Sequence, residues 1–253
     1  MPNLPDEPSI YPYSALLTVP ARGLIVFAPH PDDEVLGCGG LLANCLQAGL
    51  PVSVVVLTSG DQGGDAPVRE AESVAAAHAL AAGLGLTAAL PEFWRLPDRG
   101  VRANEALVAS MAATIVRSGA DWVLTTSPYE VHPDHRSTSV AASLAFLRAL
   151  GPEPSARLAF YEVGHPLMAN LLIDITPTLS RKRAAIDCFV SQLATQAYGE
   201  QLLALNRFRS YTLGPAVTHA EAFQVVSAAD LVCGLNGLIV KDAERVCWRL
   251  GLT

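Results

Sequence analysis

The chain has 253 residues, of which 51% are hydrophobic and 16% charged, a composition typical of a globular domain and not of a disordered segment. It has 17 Lys and Arg against 24 Asp and Glu, and the formal net charge of −7 argues against binding to nucleic acid. Five widely spaced cysteines without a CxxC motif predict reduced thiols in a cytoplasmic protein, and neither a secretory leader nor a membrane span is predicted.

Residues 1–20 contain five prolines and are predicted to form an extended, proline-rich N-terminal arm. Residues 21–253 show no internal repeat and no low-complexity linker, so they are predicted to form a single domain.

From Gly23 onwards, short apolar runs alternate with helical patterns. The predicted elements are, in order, strand Gly23–Ala28, helix Leu36–Gly49, strand Pro51–Ser59, helix Val68–Ala82, strand Ala88–Trp94, helix Asn104–Ser118, strand Asp121–Ser127 and helix Ser137–Leu150. This alternation predicts an α/β, Rossmann-like fold with a mostly parallel sheet and helices on both faces. The last hundred residues are less regular, and the pattern predicts a strand at Arg157–Val163, a helix at Pro177–Tyr198 and a late strand at Ala222–Ser227.

Two clusters of histidine and aspartate follow predicted buried strands. The first is His30-Pro31-Asp32-Asp33-Glu34 and the second is His132-Pro133-Asp134-His135. In the Rossmann strand order the first and fourth strands are neighbours that flank the switch point, where ligands bind beyond the carboxyl ends of the strands. The sequence therefore predicts that both clusters meet in one crevice.

The residue types in these clusters suit a catalytic metal site. Two histidines and one carboxylate bind zinc or a similar divalent ion and leave a coordination position open for water. A second carboxylate could act as general base, and a spare histidine could stabilise an oxyanion or protonate the leaving group. Each cluster also has a plain structural interpretation, namely first-turn acids of a helix for the first and a capped turn for the second. Their predicted convergence favours the site.

The same residues carry a resemblance to a known family. APHPDDEVLGCGG (Ala28–Gly40), TSGDQGG (Thr58–Gly64), REAE (Arg69–Glu72), LPD (Leu96–Asp98) and HPDH (His132–His135) occur in the order seen in the LmbE-like, or PIG-L-type, zinc-dependent de-N-acetylases. AEAF (Ala220–Phe223) is similar to the C-terminal signature of that family. The match is clear from Gly23 to about Val140 and patchy beyond.

The resemblance implies a role for each matching residue. His30, Asp33 and His135 would bind one Zn²⁺, Asp32 would be the general base, and His132 would stabilise the oxyanion or act as acid. Arg69 and Asp98 match positions that hold sugar hydroxyls or a phosphate. The structural alternatives are that Arg69 is an exposed arginine at the start of a helix and that Asp98 is an aspartate in a turn. His219 is expected to face the pocket, and Asp134 is expected to orient a neighbouring histidine or cap the next helix. His165 and Glu162 could lie at the rim.

The predicted function is zinc-dependent removal of the N-acetyl group from an N-acetylglucosamine-type conjugate, with a small amino sugar as the substrate. The alternatives are a metal-dependent hydrolase of another amide or an ester, a non-catalytic metal-binding member of the fold, and a response-regulator-like domain. Glycine-rich nucleotide motifs and a GxSxG motif are missing, which argues against NAD, P-loop ATP and serine-hydrolase chemistry. Another divalent metal in place of zinc and an oligomeric assembly are further alternatives.

Overall fold

The computed structural model describes residues 6–151 and 153–232, so part of the predicted arm (1–5) and the end of the predicted domain (233–253) lie outside the described residues. The elements are α1 (Glu7–Ile10), β1 (Leu24–Ala28), α2 (Asp33–Gln47), β2 (Val52–Thr58), α3 (Ala66–Ala81), β3 (Glu92–Leu96), α4 (Glu105–Ser118), β4 (Trp122–Thr126), α5 (Pro133–Leu150), β5 (Arg157–Tyr161), β6 (Leu171–Asp174), a 3-10 turn (Thr176–Thr178), α6 (Leu179–Ile186), α7 (Val190–Leu193), α8 (Tyr198–Arg209) and β7 (Ala220–Val226).

Seven strands of the described chain form one sheet in the order β3-β2-β1-β4-β5-β7-β6. The first five run parallel, and β7 pairs antiparallel with both β5 and β6. The single-domain α/β fold with a mostly parallel sheet is therefore confirmed. β1 pairs directly with β4, which confirms the neighbourhood on which the predicted crevice depends.

Helices cover both faces of the sheet because β1 and β4 bury every residue and so need apolar partners on each side. One core cluster packs α2, α3 and α6 on one face, and a second packs α4 and α5 on the other. Asp65 and Asn104 cap α3 and α4 by accepting hydrogen bonds from backbone N–H groups in the first helical turns. The five parallel strands and the helices between them therefore follow sequence patterns that are common for strands and helices.

Two helices begin earlier than predicted. The pattern put their starts at Leu36 and Ser137, whereas α2 begins at Asp33 and α5 at Pro133. The polar residues of each motif occupy the first helical turn, where acidic side chains and proline are favoured although they break the apolar pattern. Both motifs consequently lie on helix N-termini. The third strand is also displaced, since Glu92–Leu96 replaces the predicted Ala88–Trp94.

The predicted helix Pro177–Tyr198 is wrong. The segment is broken into the 3-10 turn, α6 and α7, and the next helix, α8, begins at Tyr198. Phe189 is buried at the break, and Ser191 donates two hydrogen bonds to Glu72 on α3, so tertiary contacts turn the chain away from a continuous helix. Strand β6 was not predicted, and the late strand begins two residues earlier than expected.

The arm contacts the far edge of the sheet. Leu16 forms a parallel bridge with Ile173 of β6, through the Leu16 N–H to the Leu172 carbonyl and the Asp174 N–H to the Leu16 carbonyl. These hydrogen bonds satisfy backbone groups of an edge strand. No helix in the described part of the chain has both the length and the apolar character needed to cross a membrane.

Candidate active site

The first motif joins β1 to α2 through a strained residue. Asp32 precedes the helix with φ of 126°, a conformation that non-glycine residues rarely adopt. The Asp32 N–H donates to Glu34 Oε2 at 3.0 Å, and Ser73 Oγ on α3 donates to Glu34 Oε1 at 2.5 Å. Glu34, which is 3% exposed, therefore holds this turn in place. Such strain persists only where the surroundings enforce it, and it concentrates at functional sites.

The second motif begins α5 beside the end of β4. His132 is the N-cap residue, and its Nδ1 accepts a hydrogen bond from the Asp134 N–H at 3.2 Å. Thr126, the last residue of β4, donates from Oγ1 to the His135 carbonyl at 2.9 Å. This bond fixes the first turn of α5 against the strand that neighbours β1. The two motifs, about a hundred residues apart in the chain, consequently face each other.

Three side-chain atoms from the two motifs form a nearly equilateral triangle. His30 Nδ1 and Asp33 Oδ2 are 3.2 Å apart, His135 Nε2 and Asp33 Oδ2 are 3.2 Å apart, and the two histidine nitrogens are 3.3 Å apart. Ligand atoms about 2.0–2.1 Å from a tetrahedral Zn²⁺ lie about 3.3–3.4 Å from one another. The three residues therefore fit one divalent ion, with the fourth tetrahedral position left for water or substrate.

The opposite ring nitrogens of both histidines face carboxylates. His30 Nε2 lies 3.3 Å from Asp98 Oδ1 and 3.4 Å from Asp134 Oδ2. His135 Nδ1 lies 3.6 Å from Glu130 Oε2. Histidines that bind a metal commonly donate their other N–H to a carboxylate, which fixes the tautomer and the ring orientation. The arrangement thus presents His30 Nδ1 and His135 Nε2 towards the same point.

We call these residues, together with Asp32 and Arg69, the carboxylate–histidine cluster; its members are His30, Asp32, Asp33, Arg69, Asp98, Glu130, Asp134 and His135. Glu130 was not predicted, although it is an acid that follows a buried strand five residues before His135, which is a usable sequence signal. Asp134 does contact a histidine, but this is His30 of the other motif. Its two oxygens also accept hydrogen bonds from the backbone N–H groups of Arg99 and Val101.

Burial and mutual charge separate the pKa values of the two adjacent aspartates. Burial raises the pKa of Asp32 to about 8, the charge of Asp33 adds to the rise, and Arg69 opposes it. Burial would also raise the pKa of Asp33, but His135 and His30 outweigh it and hold that pKa well below its usual value. Asp33 is thus stabilised as an anion, whereas burial favours the protonated, neutral form of Asp32; such a separation of pKa values is typical of catalytic carboxylate pairs.

Opposing effects act on the histidines. Burial lowers the pKa of His135, but the carboxylate of Asp33 and a hydrogen bond to it raise this pKa to about 9. For His132, burial and then the nearby charges of His30 and His135 lower the pKa. The His132 ring lies edge-on to that of His30, with a centroid distance of 4.7 Å. His132 therefore stands beside the ligand triangle, and one nitrogen of its ring lies within 4.8 Å of ring nitrogens of His30 and His135, so these three histidines also form a group that could hold a metal ion.

Arg69 is buried in the wall of the site, so the alternative of an exposed helix-start arginine does not describe it. Its Nη2 donates to the Pro31 carbonyl at 2.8 Å and to Asp32 Oδ2 at 3.1 Å, and its Nη1 donates to the Gly60 carbonyl at 2.9 Å. Gly60 adopts φ of 66°, and a Cβ built there would lie 2.0 Å from Arg69 Nη1. The glycine is needed both for the turn and for this close approach.

A cavity of about 460 Å³ opens over the cluster. The predicted residues His30, Asp32, Asp33, Arg69, Asp98, His132 and His135 all line it, together with Leu36, Gln62, Gly63, Arg99, Glu130, Val131, Pro133, Val163, Gly164, Gln192 and Tyr198. Sequence analysis did not single out Gln62, Arg99, Gln192 or Tyr198; the first two lie in loops, Gln192 lies in the short helix α7, and Tyr198 begins α8. The volume is typical of sites for small molecules.

The structure does not bring every predicted residue to this cavity. His219 is not among the described residues that line it, and its Nδ1 lies 3.0 Å from Thr218 Oγ1. His165 is exposed outside the lining set, and Glu162 forms a buried ion pair with Arg209. The role of His219 in substrate binding stays a prediction without a cavity contact to support it.

Comparisons with known proteins agree with the fold and the motifs. The family model described as PIG-L, GlcNAc-PI de-N-acetylase, matches residues 25–146. The uncharacterized deacetylase YaiS of Escherichia coli (strain K12) is 43% identical over 44 residues, which are 17% of this chain. The aligned stretch spans 24%, about a quarter, of the length of that curated relative.

Solved structures extend the similarity to most of the chain. The conserved protein TT1542 of Thermus thermophilus is 29% identical, with a TM-score of 0.70 over 79% of this chain and 92% of that chain. The N,N'-diacetylchitobiose deacetylase of Pyrococcus horikoshii is 22% identical, with a TM-score of 0.70 over 83% and 85% of the two chains. GalB, the 4-carboxy-2-hydroxymuconate hydratase of Pseudomonas putida KT2440, shares the fold at 24% identity and a TM-score of 0.68, covering 81% of this chain and 96% of that chain. Both histidine motifs lie inside residues 25–146, and over this segment the chain is similar to the PIG-L, or LmbE-like, deacetylase family.

Proposed function

We propose that the protein is a zinc-dependent amidohydrolase that removes the N-acetyl group from an N-acetylglucosamine-type sugar conjugate. The observation that carries this proposal is the triangle of His30 Nδ1, Asp33 Oδ2 and His135 Nε2, with edges of 3.2–3.3 Å. A divalent ion held there would supply Lewis acidity to the amide carbonyl and lower the pKa of water in the open position.

Asp32 would act as the general base in this proposal. Its Oδ2 accepts from Arg69, whereas Oδ1 accepts no hydrogen bond among the described residues and remains for the attacking water. Asp32 would take the proton of that water as oxygen attacks the amide carbon, and would return it to the leaving nitrogen as the C–N bond breaks. The products are acetate and the free amine of the sugar.

His132 would stabilise the charge that develops on the acetyl oxygen. It lines the cavity beside His30 and keeps its position through the N-cap bond to the Asp134 N–H. A fixed donor aimed at developing negative charge stabilises the transition state more than the ground state. In this proposal His132 binds no metal.

The size and polarity of the cavity support a small amino-sugar substrate. Arg69 and Asp98 face the cavity and could bind sugar hydroxyls. Both already have protein partners. Arg69 makes the hydrogen bonds described above, and Asp98 contacts His30 and accepts a hydrogen bond from the Gln62 N–H at 3.0 Å. The net charge of −7 gives no long-range attraction for polyanions, so nucleic acid is not proposed as a partner. Cys38, Cys45 and Cys188 are free thiols, which supports a reducing, cytoplasmic setting.

A second candidate function comes from the hydratase that shares the fold. Activated water can add to a carbon–carbon double bond as well as to an amide, and fold similarity below 25% identity does not distinguish the two reactions. Hydrolysis of another amide or of an ester also fits the same groups. The strained Asp32 favours a catalytic site over a non-catalytic metal-binding one.

The test combines metal analysis with a substrate panel. Purified protein is expected to bind one zinc per chain and to release acetate from N-acetylglucosamine conjugates faster than from acetyl-lysine peptides or acetate esters. Asp32→Asn serves as the inactive, metal-loaded control. Zinc-bound protein that hydrates an unsaturated carboxylate, and releases no acetate from any amide, would replace the deacetylase proposal by the hydratase one.

A further inference from the structure

A buried lysine–glutamate pair lies at a break in α2, away from the residues given a role above. Cys38 has non-helical torsions (φ −140°, ψ 17°) and divides α2 into two segments. Lys182 of α6 and Glu221 of β7 meet there, with Nζ 2.7 Å from Oε1 and both side chains fully buried. Glu221 belongs to AEAF, the motif that is similar to a C-terminal family signature and has no part in the proposed mechanism.

The pair takes the place of a helical hydrogen bond. In a regular α-helix the Gly40 N–H would donate to the Leu36 carbonyl. Here the Gly40 N–H donates to Glu221 Oε1 at 2.7 Å, and Lys182 Nζ donates to the Leu36 carbonyl at 2.9 Å. The Leu41 N–H donates to Glu221 Oε2 at 2.8 Å. A side chain inserted into the hydrogen-bond ladder is a recognised cause of a sharp kink.

The surroundings leave the pair little freedom to move. Besides the Leu36 carbonyl and Glu221, Lys182 donates to Asn206 Oδ1 of α8 at 2.9 Å, so each of its three protons has an acceptor. A Cβ built on Gly40 would lie 2.3 Å from Ile175 Cγ2. The break is therefore held by elements α6, α8 and β7, all of which lie beyond the segment matched by the family model.

The segment on the other side of the break carries the metal-site motif. It begins at Asp33 and reaches Leu36 within one helical turn, so the direction of this short segment decides where Asp33 points. A Cβ built on Gly37 would lie 2.2 Å from the ring of Tyr161, so the segment also packs directly on β5. A shift of Leu36 would be transmitted to Asp33 because a packed helical turn moves as a unit.

We infer that the Lys182–Glu221 pair positions the first turn of α2 and thereby sets the contacts of Asp33 with His30 and His135. This inference rests on the proposed metal site. Lys182 and Glu221 are positioning residues, since they touch neither the cavity nor the ligand triangle. They would act on zinc binding and on turnover only through the α2 backbone.

The experiment measures zinc affinity in a variant that removes both charges. Lys182→Met with Glu221→Gln avoids leaving one unpaired buried charge, which would itself unfold many proteins. Zinc affinity, measured by competition with a chromophoric chelator, is expected to fall about tenfold, as for losses of indirect support around metal ligands. At saturating zinc, kcat is expected to fall more than KM rises.

The matched control separates positioning from simple loss of stability. Ile115→Ala truncates a fully buried side chain of α4 in the core on the opposite face of the sheet. It is expected to lower the melting temperature but to leave zinc affinity at the wild-type value. The inference is overturned if the double variant folds and binds zinc as tightly as wild type, or if Ile115→Ala weakens zinc binding equally.

A milder variant keeps the test decisive if the double variant does not fold. Asn206→Ala removes one acceptor from Lys182 and leaves both charges of the pair in place. Zinc affinity is expected to fall about two- to threefold, and an unchanged value would count against the inference. Failure of wild-type protein to bind zinc would instead reject the proposed metal site, so the two failures are distinguishable.

Discussion

The first segment of α2 has a buried group of charged side chains at each end. Opposite charges cancel in one group but not in the other. At the break, Lys182 and Glu221 neutralise one another and their polar atoms have hydrogen-bond partners. At the N-terminus, the five carboxylates of the carboxylate–histidine cluster outnumber the groups of opposite charge that face them, which are Arg69 and the titratable rings of His30 and His135. Buried charge without matching opposite charge is costly. The comparison agrees with the proposed metal site, because a bound cation would offset the excess negative charge of the carboxylate–histidine cluster.

Burial alone would not separate these two groups, because no side chain in either is more than 12% exposed. The difference lies in charge balance and in backbone strain. Asp32, in the unbalanced group, has φ of 126°, whereas the break at Cys38 keeps a negative φ. An enclosed group with excess like charge, strain and an adjacent cavity is the better candidate for function. The predictions below test this distinction, from the largest expected effect to the smallest.

Asp33→Ala is expected to lower zinc affinity by more than about 100-fold, because a ligand is lost and not only its support. Equilibrium dialysis with metal analysis measures the effect. Asp187→Ala, an exposed aspartate after α6, is the charge-matched control and should bind zinc normally. Retention of zinc by Asp33→Ala would show that the triangle is not the metal site.

Asp32→Asn is expected to keep its zinc and to lose about 10²- to 10⁴-fold in kcat, because an amide cannot accept the proton of water. Steady-state acetate release at saturating zinc measures the loss, and metal analysis of the same sample is the control. If this variant lost the metal while Asp33→Asn kept it without activity, the roles of the two aspartates would be reversed.

His132→Ala is expected to retain zinc and to lower kcat about 100-fold with a smaller change in KM, since its proposed contact is with charge that develops in the transition state. His165→Ala, which removes an exposed histidine outside the cavity lining, should turn over like wild type. A rise in KM alone would assign His132 to ground-state binding.

Substitutions of Asp98 and Arg69 are expected to differ in their effect on zinc affinity, although sequence analysis grouped both residues as substrate contacts. Asp98→Ala removes a carboxylate 3.3 Å from His30 Nε2 and is expected to weaken zinc binding about tenfold. Arg69→Ala is expected to leave bound zinc unchanged and to lower kcat/KM for amino sugars about tenfold, through Asp32 and the sugar hydroxyls. Zinc affinity and steady-state kinetics, measured for both variants, test whether the two residues have these different roles. Equal zinc affinity would return Asp98 to a purely substrate-binding role.

Sequence patterns were sufficient where a structural preference is local. Buried runs such as Leu24–Ala28 and Trp122–Thr126 identified the central strands, and their order placed both histidine motifs at one edge of the sheet. Local patterns misplaced the starts of α2 and α5 because polar residues of the two histidine motifs occupy the first turns of those helices. The parallel sheet and the meeting of the two motifs were therefore predictable.

The tertiary structure alone decided which groups support the site. Asp98 and Asp134 lie far from His30 in the chain, and nothing in their local sequence indicates that both face its Nε2 atom. The break between α6 and α7, and the pairing of Lys182 with Glu221, likewise depend on packing between elements distant in sequence. The periodicity of the sequence indicates whether a side chain is buried. Which side chain it contacts follows from the three-dimensional arrangement of strands and helices. Sequence determined the residue types of the two histidine motifs and their edge of the sheet, and packing determined their orientation, charge balance and strain.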